Sequence, residues 1–294
     1  MAKDEWLEHI EKVVRWRRTK GRFGVFTLNI GNTNTTVIGS RFQVPPYGLV
    51  WKTGAALPLE LATVLNEELA KGAPVVLAGV VPQYKEELAA TLRKLGHEVL
   101  IFRQDLEPEI EIVPQPAERV GDDRIADAMG ALAQGPGNPW VIVDVGTAMT
   151  INAVTPRHRG RLPRFEGGLI LPGAAACLRA LAENTAQLPL LARWPEGAQE
   201  NATFIGKSTE QAMLLGVYHA QVTSAISLAK GQMRELGPRT RVILTGGGAT
   251  QAGFDTEFLA SFPPGKAVLY AQLVHLGLAA AWMAWDRARP PAGA

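Results

Sequence analysis

The sequence predicts an α/β fold in which helices cover the faces of β-sheets. Short apolar segments rich in β-branched residues alternate with segments of helical spacing, which is the pattern of sheets flanked by helices. A length of 294 residues suggests two domains, or one large domain with internal duplication. A strand-turn-strand pattern that starts near residue 29 recurs about 115 residues later, which is the period of a whole domain. We therefore expect a duplicated α/β protein.

The composition excludes several classes of protein. Hydrophobic residues make up 47% of the chain and the formal net charge is only +2, which favours a folded core and argues against a protein specialised for nucleic acid. The single cysteine, Cys177, cannot form an internal disulfide, and no Cys and His residues have the spacing of zinc ligands. We expect a cytoplasmic protein without a nucleic-acid partner.

Two stretches were compared with the pattern of a membrane or export segment. Residues 1–22 are interrupted by charges and lack the apolar run of a signal peptide. The most apolar stretch, residues 268–285, contains Gln272 and His275 and is barely long enough to span a bilayer. The sequence therefore predicts a buried helix over residues 268–285 and no membrane partner.

Residues 1–24 are predicted to form a helical extension ahead of the main fold. Over residues 4–20, the side chains of Trp6, Ile10 and Val13 fall near one helical face, and charges occupy the rest, so the helix is amphipathic. Its last turns are basic. This pattern is typical either of a solvated face docked on the protein body, which we favour, or of a nucleic-acid arm.

The first predicted domain covers residues 25–136 and opens with a β-hairpin. Strands over residues 25–30 and 35–38 flank the polar turn Gly31-Asn32-Thr33-Asn34. The segment Gly135-Pro136-Gly137-Asn138-Pro139 is a strong breaker, so the second domain is predicted to cover residues 137–294. Between the hairpin and the breaker, strands are predicted at 48–52, 74–78 and 98–102, helices at 57–71, 85–95 and 120–133, and a Pro-rich connection at 107–116.

The second predicted domain repeats the opening hairpin. Strands over residues 140–145 and 149–154 enclose the turn Gly146-Thr147-Ala148, so that residues 29–35 align without a gap over residues 144–150. Glycine lets the backbone approach a ligand, exposed N–H groups make an anion-binding concavity, and nearby side-chain oxygens can reach a magnesium ion. Either hairpin alone is compatible with an ordinary turn, whereas two copies favour phosphate binding.

A third glycine-rich turn, Thr245-Gly246-Gly247-Gly248-Ala249, follows a β-run at residues 241–244. Because glycine has no side chain, a flat base and its ribose can lie directly against the backbone of such a turn. Two phosphate hairpins followed by an adenosine turn resemble the actin-like ATPase and sugar kinase superfamily. The resemblance implies two ribonuclease H-like domains, each with a mixed five-stranded sheet flanked by helices.

Further motifs narrow the resemblance to the type III pantothenate kinases. The stretch Gly121-Asp122-Asp123-Arg124 is similar to the Gly-x-Asp-Arg motif of that family. Each motif is common by itself, but the ordered set is specific and covers nearly all of the chain from Phe26 onwards. The other matching motifs stand in the family's order at residues 144–150, 167–173, 184–189 and 205–209. We expect Gly167 and Gly168 to shape a turn before a helix, and Ser208 to cap the start of another helix.

The resemblance implies that this chain transfers the γ-phosphoryl group of ATP to the primary hydroxyl of pantothenate. The product is 4′-phosphopantothenate, at the start of coenzyme A synthesis. The resemblance assigns Asp123 as the general base and Gly121, Asp123 and Arg124 as pantothenate-binding residues. It also assigns Thr185 to pantothenate bound at the neighbouring subunit.

The same resemblance implies the ATP site, its cations and an oligomer. Asp144 is expected to hold magnesium through oxygen. The family uses a monovalent cation, potassium or ammonium, and works as a homodimer with the active site at the subunit interface. The residues expected to bind ATP and its phosphates are Asn29, Gly31, Asn32, Thr33, Asn34, Gly146, Thr147, Gly246 and Gly247.

Each of the charged site residues also has a structural interpretation. Asp123 would be an acid stabilised at a helix N-terminus, and Arg124 would be the partner of Asp122 or Asp127. Asp144 would be a buried aspartate that ties its own turn together. The match of the whole motif set favours the functional interpretation.

Two residues depart from the family's pattern. The first hairpin normally begins with Asp, but Asn29 offers an oxygen without negative charge, so binding of metal-bound triphosphate is expected to weaken. Asp122 stands where an apolar residue is more common, and its charge is expected to raise the pKa of Asp123. Asn29 motivates one alternative, a catalytically weak or inactive nucleotide-binding regulatory homologue. A kinase that acts on another alcohol is a further alternative.

Overall fold

The computed structural model describes residues 25–38, 49–53, 74–158, 160–191 and 203–289. The helices expected over residues 4–20 and 57–71 lie outside the described residues. In chain order the elements are β1 (Phe26–Ile30), β2 (Asn34–Ile38), β3 (Leu49–Lys52), β4 (Val75–Gly79), α1 (Pro82–Lys94), β5 (Val99–Ile101), β6 (Glu111–Ile112), α2 (Asp122–Gln134), β7 (Trp140–Val145), β8 (Ala148–Thr155), β9 (Arg164–Pro172), α3 (Ala174–Glu183), α4 (Thr209–Leu236), β10 (Arg241–Thr245), α5 (Phe254–Ala260), β11 (Ala267–Leu269) and α6 (Leu273–Ala288).

The chain divides into two compact units. The first contains the described residues up to Pro136, residues 157–165 and the segment from Gln272 onwards. The second contains residues 137–156 and 166–271. The chain therefore passes from the first unit to the second at the breaker, and α6 belongs to the first unit although it comes last in the sequence.

A mixed five-stranded sheet in the order β3-β2-β1-β4-β5 forms the centre of the first unit. β1 runs antiparallel to β2 and parallel to β4. Alternate residues of β1, namely Phe26, Leu28 and Ile30, are fully buried and pack in one cluster with Leu88 and Leu92 of α1. The period of two along β1 thus places one face of the strand against α1.

The sheet of the second unit repeats this order, with β9, β8, β7, β10 and β11 in the places of β3, β2, β1, β4 and β5. β7 runs antiparallel to β8 and parallel to β10, as β1 does to its neighbours. The duplication and the mixed five-stranded sheets expected from the sequence are confirmed. Within the first unit, β6 pairs with Arg164 and Phe165 at the start of β9.

The two hairpins differ by one residue in their turns. Asn29 pairs with Thr36 across β1 and β2, whereas Asp144 pairs with Thr150 across β7 and β8. The gapless alignment of Thr35 with Thr150 is therefore wrong by one residue after the turn. Asn29 and Asp144 themselves occupy equivalent positions, each opposite a threonine.

Three segments differ from the expected secondary structure. The Pro-rich connection contains β6, and Gly167 and Gly168 lie inside β9 instead of shaping a turn before a helix. The apolar stretch 268–285 contains the end of β11 followed by α6. Apolar content alone does not separate a buried strand from a buried helix, because both are hydrophobic throughout.

Helices α2 and α6 of the first unit touch through their backbones. A Cβ atom on Gly277 would lie 1.7 Å from the carbonyl oxygen of Ala126, and one on Gly130 would lie 2.6 Å from that of Leu273. Only glycine leaves room for this approach. This close packing against α2 explains why α6 belongs to the first unit.

His275 connects α6 to the first hairpin. Its imidazole is fully buried, with Nδ1 2.8 Å from the hydroxyl of Thr27 on β1 and Nε2 2.8 Å from the hydroxyl of Thr36 on β2. Burial lowers the pKa of His275 from 6.5 to about 3, although a hydrogen bond with Thr27 opposes the shift. The ring is therefore neutral near pH 7, with one nitrogen donating and the other accepting.

Of the helices described, one, α4, is long and apolar enough by length and composition alone to cross a membrane. Val222, Ala225 and Ala229 of α4 lie in the core of the second unit with residues of β7, β8 and β10. Gln232 of α4 also donates to the carbonyl of Ile151, at 2.9 Å. Packing against the sheet accounts for the apolar character of α4.

We predict that His275 makes the fold sensitive to acid. Below about pH 6.5 the unfolded chain binds a proton that His275 in the folded protein does not accept until about pH 3, so its contribution is complete above pH 6.5 and is lost as the pH falls. Between about pH 7 and pH 4.5, His275→Gln should remove roughly 2–3 kcal/mol of the acid-induced loss of unfolding free energy. Urea titrations at both pH values measure it, with His158→Gln at an exposed position as the control. Equal losses in wild type and His275→Gln would contradict the prediction.

Candidate active site

The first hairpin places Asn29 at the end of β1 and exposes the turn that follows. Gly31 N–H donates to the carbonyl of Asn34 at 2.9 Å, and Asn32, Thr33 and Asn34 are exposed. The Oδ1 atom of Asn29 is buried and has no hydrogen-bond partner among the described residues. An orphaned acceptor of this kind suits a donor from outside the chain, such as water bound to a cation.

Thr53, the residue directly after β3, stabilises this turn through two hydrogen bonds. The sequence did not indicate this role. Its hydroxyl donates to the carbonyl of Gly31 at 2.7 Å, and its N–H donates to the carbonyl of Thr33 at 2.9 Å. The sequence carries no signal for this contact, because it depends on β3 pairing beside β2.

The second unit brings the second hairpin and the third glycine turn together. Asp144 is half-buried, and Gly146 and Thr147 are exposed. Gly246 has a φ of +93°, and a Cβ atom there would lie 2.2 Å from Oδ1 of Asp144. The N–H of Gly248 donates to the carbonyl of Val145 at 2.8 Å. The carboxylate of Asp144 therefore lies directly against the bare backbone of the third turn, and Gly247 is exposed beside it.

The N-terminus of α3 adds positive character to the second hairpin. Gly173 is the N-cap of α3, and its N–H donates to the carbonyl of Thr147 at 3.1 Å. A helix N-terminus presents N–H groups and the positive end of the helix dipole, which favours anions. Exposed Gly146 and Thr147 thus have the surroundings expected of a phosphate turn.

The residues present fit a magnesium ion that takes most of its ligands from phosphate and water. No group of three or more His, Cys, Asp or Glu able to hold a metal occurs in the part of the chain that the structure describes. Magnesium commonly binds through one or two carboxylates plus substrate phosphates, so a single carboxylate at Asp144 suffices.

The Gly-x-Asp-Arg motif of the first unit begins α2. Gly121 is the N-cap, and a Cβ atom there would lie 2.5 Å from Oδ1 of Asp123, so glycine leaves space for this carboxylate. The same oxygen accepts the N–H of Arg124 at 2.8 Å. The guanidinium of Arg124 lies over the ring of Phe165, with Cζ 5.3 Å from the ring centre. Gly121, Asp123 and Arg124 are thus brought together by one helical turn.

Burial raises the pKa of the Asp123 carboxyl above its ordinary value. The N–H and the positive charge of Arg124 oppose this rise, and the charge of Asp122 adds to it. Burial also lowers the pKa of Arg124, and the charge of Asp123 opposes that shift. The expected effect of Asp122 has the right direction, but burial is the largest cause.

Asp122 is held by two cations that the sequence analysis did not single out. Its carboxylate lies 3.0 Å from Nζ of Lys85 and 3.5 Å from Nη1 of Arg103. It also accepts the N–H of Gly79 at 3.4 Å. The only signal in the sequence was Asp122 itself, a charged residue at a position that is more often apolar in similar motifs.

Thr185 lies in the turn that follows α3 in the second unit. Its hydroxyl donates to the carbonyl of Leu181 at 2.8 Å and accepts the N–H of Leu188 at 3.3 Å. The residue is exposed. Local hydrogen bonds thus give Thr185 a structural role in the turn after α3, whatever else it contacts.

A profile of the type III pantothenate kinase family matches residues 25–230 of this chain. The type III pantothenate kinase of Hyphomonas neptunium is 32% identical over 238 residues, which cover 77% of this chain and 88% of that protein. The protein of the same name from Rhizorhabdus wittichii is 32% identical over 206 residues, covering 68% and 76%. The alignment with the protein of that name from Persephonella marina, 30% identical, covers 58% of this chain and 64% of the relative.

Solved structures agree on the fold. A conserved Baf family protein from Campylobacter jejuni superposes with a TM-score of 0.52 at 16% identity, covering 89% of this chain and 99% of that one. The Alp12 filament structure gives a TM-score of 0.51 at 12% identity, covering 89% and 98%. At these identities the likeness concerns the fold alone.

We predict that Gly246→Ala destabilises the second unit much more than Gly247→Ala. At Gly246 the new Cβ would collide with Asp144 and Val145 and would require a positive φ, whereas at Gly247 no atom lies within 4 Å of it. The expected loss of unfolding free energy is about 2 kcal/mol or more at Gly246 and below about 1 kcal/mol at Gly247. Urea titration of both variants measures the difference. Equal losses would contradict the placement of Gly246 against Asp144.

Proposed function

Because this chain belongs to the type III pantothenate kinase family, we propose that it transfers the γ-phosphoryl group of ATP to the primary hydroxyl of pantothenate. The product is 4′-phosphopantothenate, at the start of coenzyme A synthesis. The observation that carries the proposal, beyond family membership, is the carboxylate of Asp123, half-buried at the start of α2 beside Arg124. The proposed enzyme is cytoplasmic.

In this proposal Asp123 is the general base that accepts the proton of the pantothenate hydroxyl. Burial raises the pKa of Asp123, which brings it closer to neutral pH and improves a carboxylate as a base. Gly121 gives the carboxylate room, and the Arg124 guanidinium is suited to hold the carboxylate of pantothenate by charge-assisted hydrogen bonds. Phosphoryl transfer requires mainly positioning and charge neutralisation, which these groups provide.

Each hairpin turn is proposed to bind phosphate groups of ATP. The residues proposed for this in the first unit are Gly31, Asn32, Thr33 and Asn34, with Asn29 behind them, and those in the second unit are Gly146 and Thr147. Gly246 and Gly247 are proposed to accept the adenosine. Asp144 is proposed to hold magnesium, which would neutralise charge on the phosphates, and a potassium or ammonium ion is proposed as the monovalent cofactor.

A homodimer is proposed from the apolar surface of β9. Ile170 is 65% exposed and Leu169 is 42% exposed on this strand, and Leu190 in the same unit is 68% exposed. Leu169 and Ile170 lie beyond the two residues of β9 that pair with β6, at an open edge of the described sheet. Exposed apolar side chains at such an edge are typical of an interface. Thr185 lies in the loop that leads to Leu190, which supports its proposed contact with pantothenate of the neighbouring subunit.

We predict that Asp123→Asn abolishes pantothenate-dependent release of ADP, because the amide cannot accept the proton. The expected loss in kcat is about 100-fold or more, with nucleotide binding retained. The assay contains ATP, magnesium and potassium, with and without pantothenate. Turnover by the wild-type protein would show that Asn29 is tolerated. If folded wild-type protein binds nucleotide but phosphorylates no alcohol, the regulatory alternative replaces the proposal.

We predict that Ile170→Glu dissociates the dimer, because a charge on β9 would be buried without a partner at the interface. Sedimentation of the wild type should give twice the mass of one chain, and the variant should give the mass of one chain. Leu95→Glu, at a side chain that is 42% exposed after α1, is the matched control and should leave the dimer intact. A monomeric wild type would contradict the homodimer.

A further inference from the structure

The carboxylate of Asp122 is contacted by residues from three other elements of the first unit. Lys85 reaches it from α1, Arg103 from the turn after β5, and the N–H of Gly79 from the end of β4. The three charged side chains are between 12% and 16% exposed. Removing one charged side chain from an ion cluster with so little exposure leaves the remaining charges without a partner, which is costly. We therefore expect the three side chains to keep a fixed arrangement.

Arg103 also holds the segment that leads into α2. Its Nη2 donates to the carbonyl of Ala117 at 2.7 Å, and its Nη1 donates to the carbonyl of Val120. The backbone of Arg103 has a φ of +62°, a left-handed conformation that costs on the order of 1 kcal/mol for a residue other than glycine. The planar fork of arginine allows contacts with two carbonyls and a carboxylate, which the single ammonium of lysine does not reproduce.

The residues after β4 connect this cluster to the first hairpin. The N–H of Val80 donates to the carbonyl of Ile30 at 3.0 Å, and Ile30 is the last residue before the turn that begins at Gly31. Gly79, directly before Val80, donates to Asp122. A continuous set of hydrogen bonds therefore runs from the start of the turn, through Gly79 and Val80, to the residue next to Asp123.

We propose that Asp122, Lys85 and Arg103 form a positioning cluster that holds Asp123 at a set place relative to the first phosphate hairpin. The proposal rests on the proposed function, because it concerns where the base stands with respect to bound phosphate. A displacement of about 1 Å in a reacting group can cost about 100-fold in rate, so such a cluster has a direct consequence for phosphoryl transfer. Asp122, Lys85 and Arg103 are positioning residues, since they act through Asp123.

The cluster also sets the charge beside the base. Asp122 and Arg124 on α2 act on Asp123 directly, and Lys85 and Arg103 face Asp122. The cluster thus contains two cations and one carboxylate. The cluster can affect Asp123 both through its charge and through its geometry. The test of positioning must therefore change the geometry while it keeps the charge.

The variant Arg103→Lys meets this requirement. It retains the positive charge near Asp122 but loses the fork that joins Ala117, Val120 and Asp122. We expect kcat to fall about tenfold or more, with the KM values for ATP and pantothenate within about twofold of wild type. Hydrogen-deuterium exchange of the backbone amides at residues 122–126 should become faster.

Arg93→Lys is the matched control. Arg93, also in the first unit, donates to the carbonyl of Val99 at 2.9 Å and to Asp105 at 2.6 Å, which is the same combination of carbonyl and carboxylate. This variant should change neither kcat nor exchange at residues 122–126. If Arg103→Lys behaves like Arg93→Lys in either measurement, the positioning cluster is refuted.

The two proposals fail in different ways. A wild-type protein without pantothenate-dependent turnover contradicts the proposed function, and amide exchange in Arg103→Lys then decides by itself whether the cluster holds the first turn of α2. A wild-type protein that is active and loses turnover in Asp123→Asn, but not in Arg103→Lys, refutes the positioning cluster alone.

Discussion

The backbone contact between α2 and α6 is the constraint on which the first unit depends. Gly130 and Gly277 let the two helices meet without side chains between them, and Ala126 supplies the carbonyl that a Cβ at Gly277 would strike. Two residues before Gly277, His275 reaches both strands of the first hairpin. The same helix therefore supports the hairpin that is proposed to bind phosphate and the helix that carries Asp123. A close backbone contact of this kind resists sliding, because any shift brings main-chain atoms into collision.

The duplicated hairpins have kept the same topology but differ in charge. Asp144 and Asn29 occupy equivalent positions opposite threonines, yet only Asp144 has a carboxylate. The neutral amide of Asn29 avoids the cost of burying a charge. Its buried Oδ1 accepts no hydrogen bond from the described residues. Because of this difference in charge, the metal is proposed to bind in the second unit. The first hairpin is proposed to contact phosphate with backbone N–H groups and an uncharged oxygen.

The chemistry proposed for Asp123 depends on a balance between burial and nearby charge. Burial favours the protonated form, while Arg124 favours the ionised form through its N–H and its charge. The charge of the neighbouring Asp122 carboxylate adds to the rise in the pKa of Asp123. Lys85 and Arg103 lie against that carboxylate, so the second acid beside the base also has a structural role.

The sequence by itself determined the features that depend on residues close together in the chain. The two hairpins, the third glycine turn, the start of α2 at Gly121-Asp122-Asp123-Arg124 and the cap of α4 at Ser208 follow from local spacing and turn chemistry. Family membership follows from the order of such local motifs.

Only the tertiary structure decided which distant residues serve the site. Lys85 and Asp122 are 37 residues apart, and Thr27 and His275 are 248 apart, so no local pattern links them. The same holds for Thr53 at the first turn, for Gly246 against Asp144, and for the return of α6 to the first unit. These contacts depend on which strands pair and which helices cover them, and that choice is made by burial of apolar surface across the whole unit.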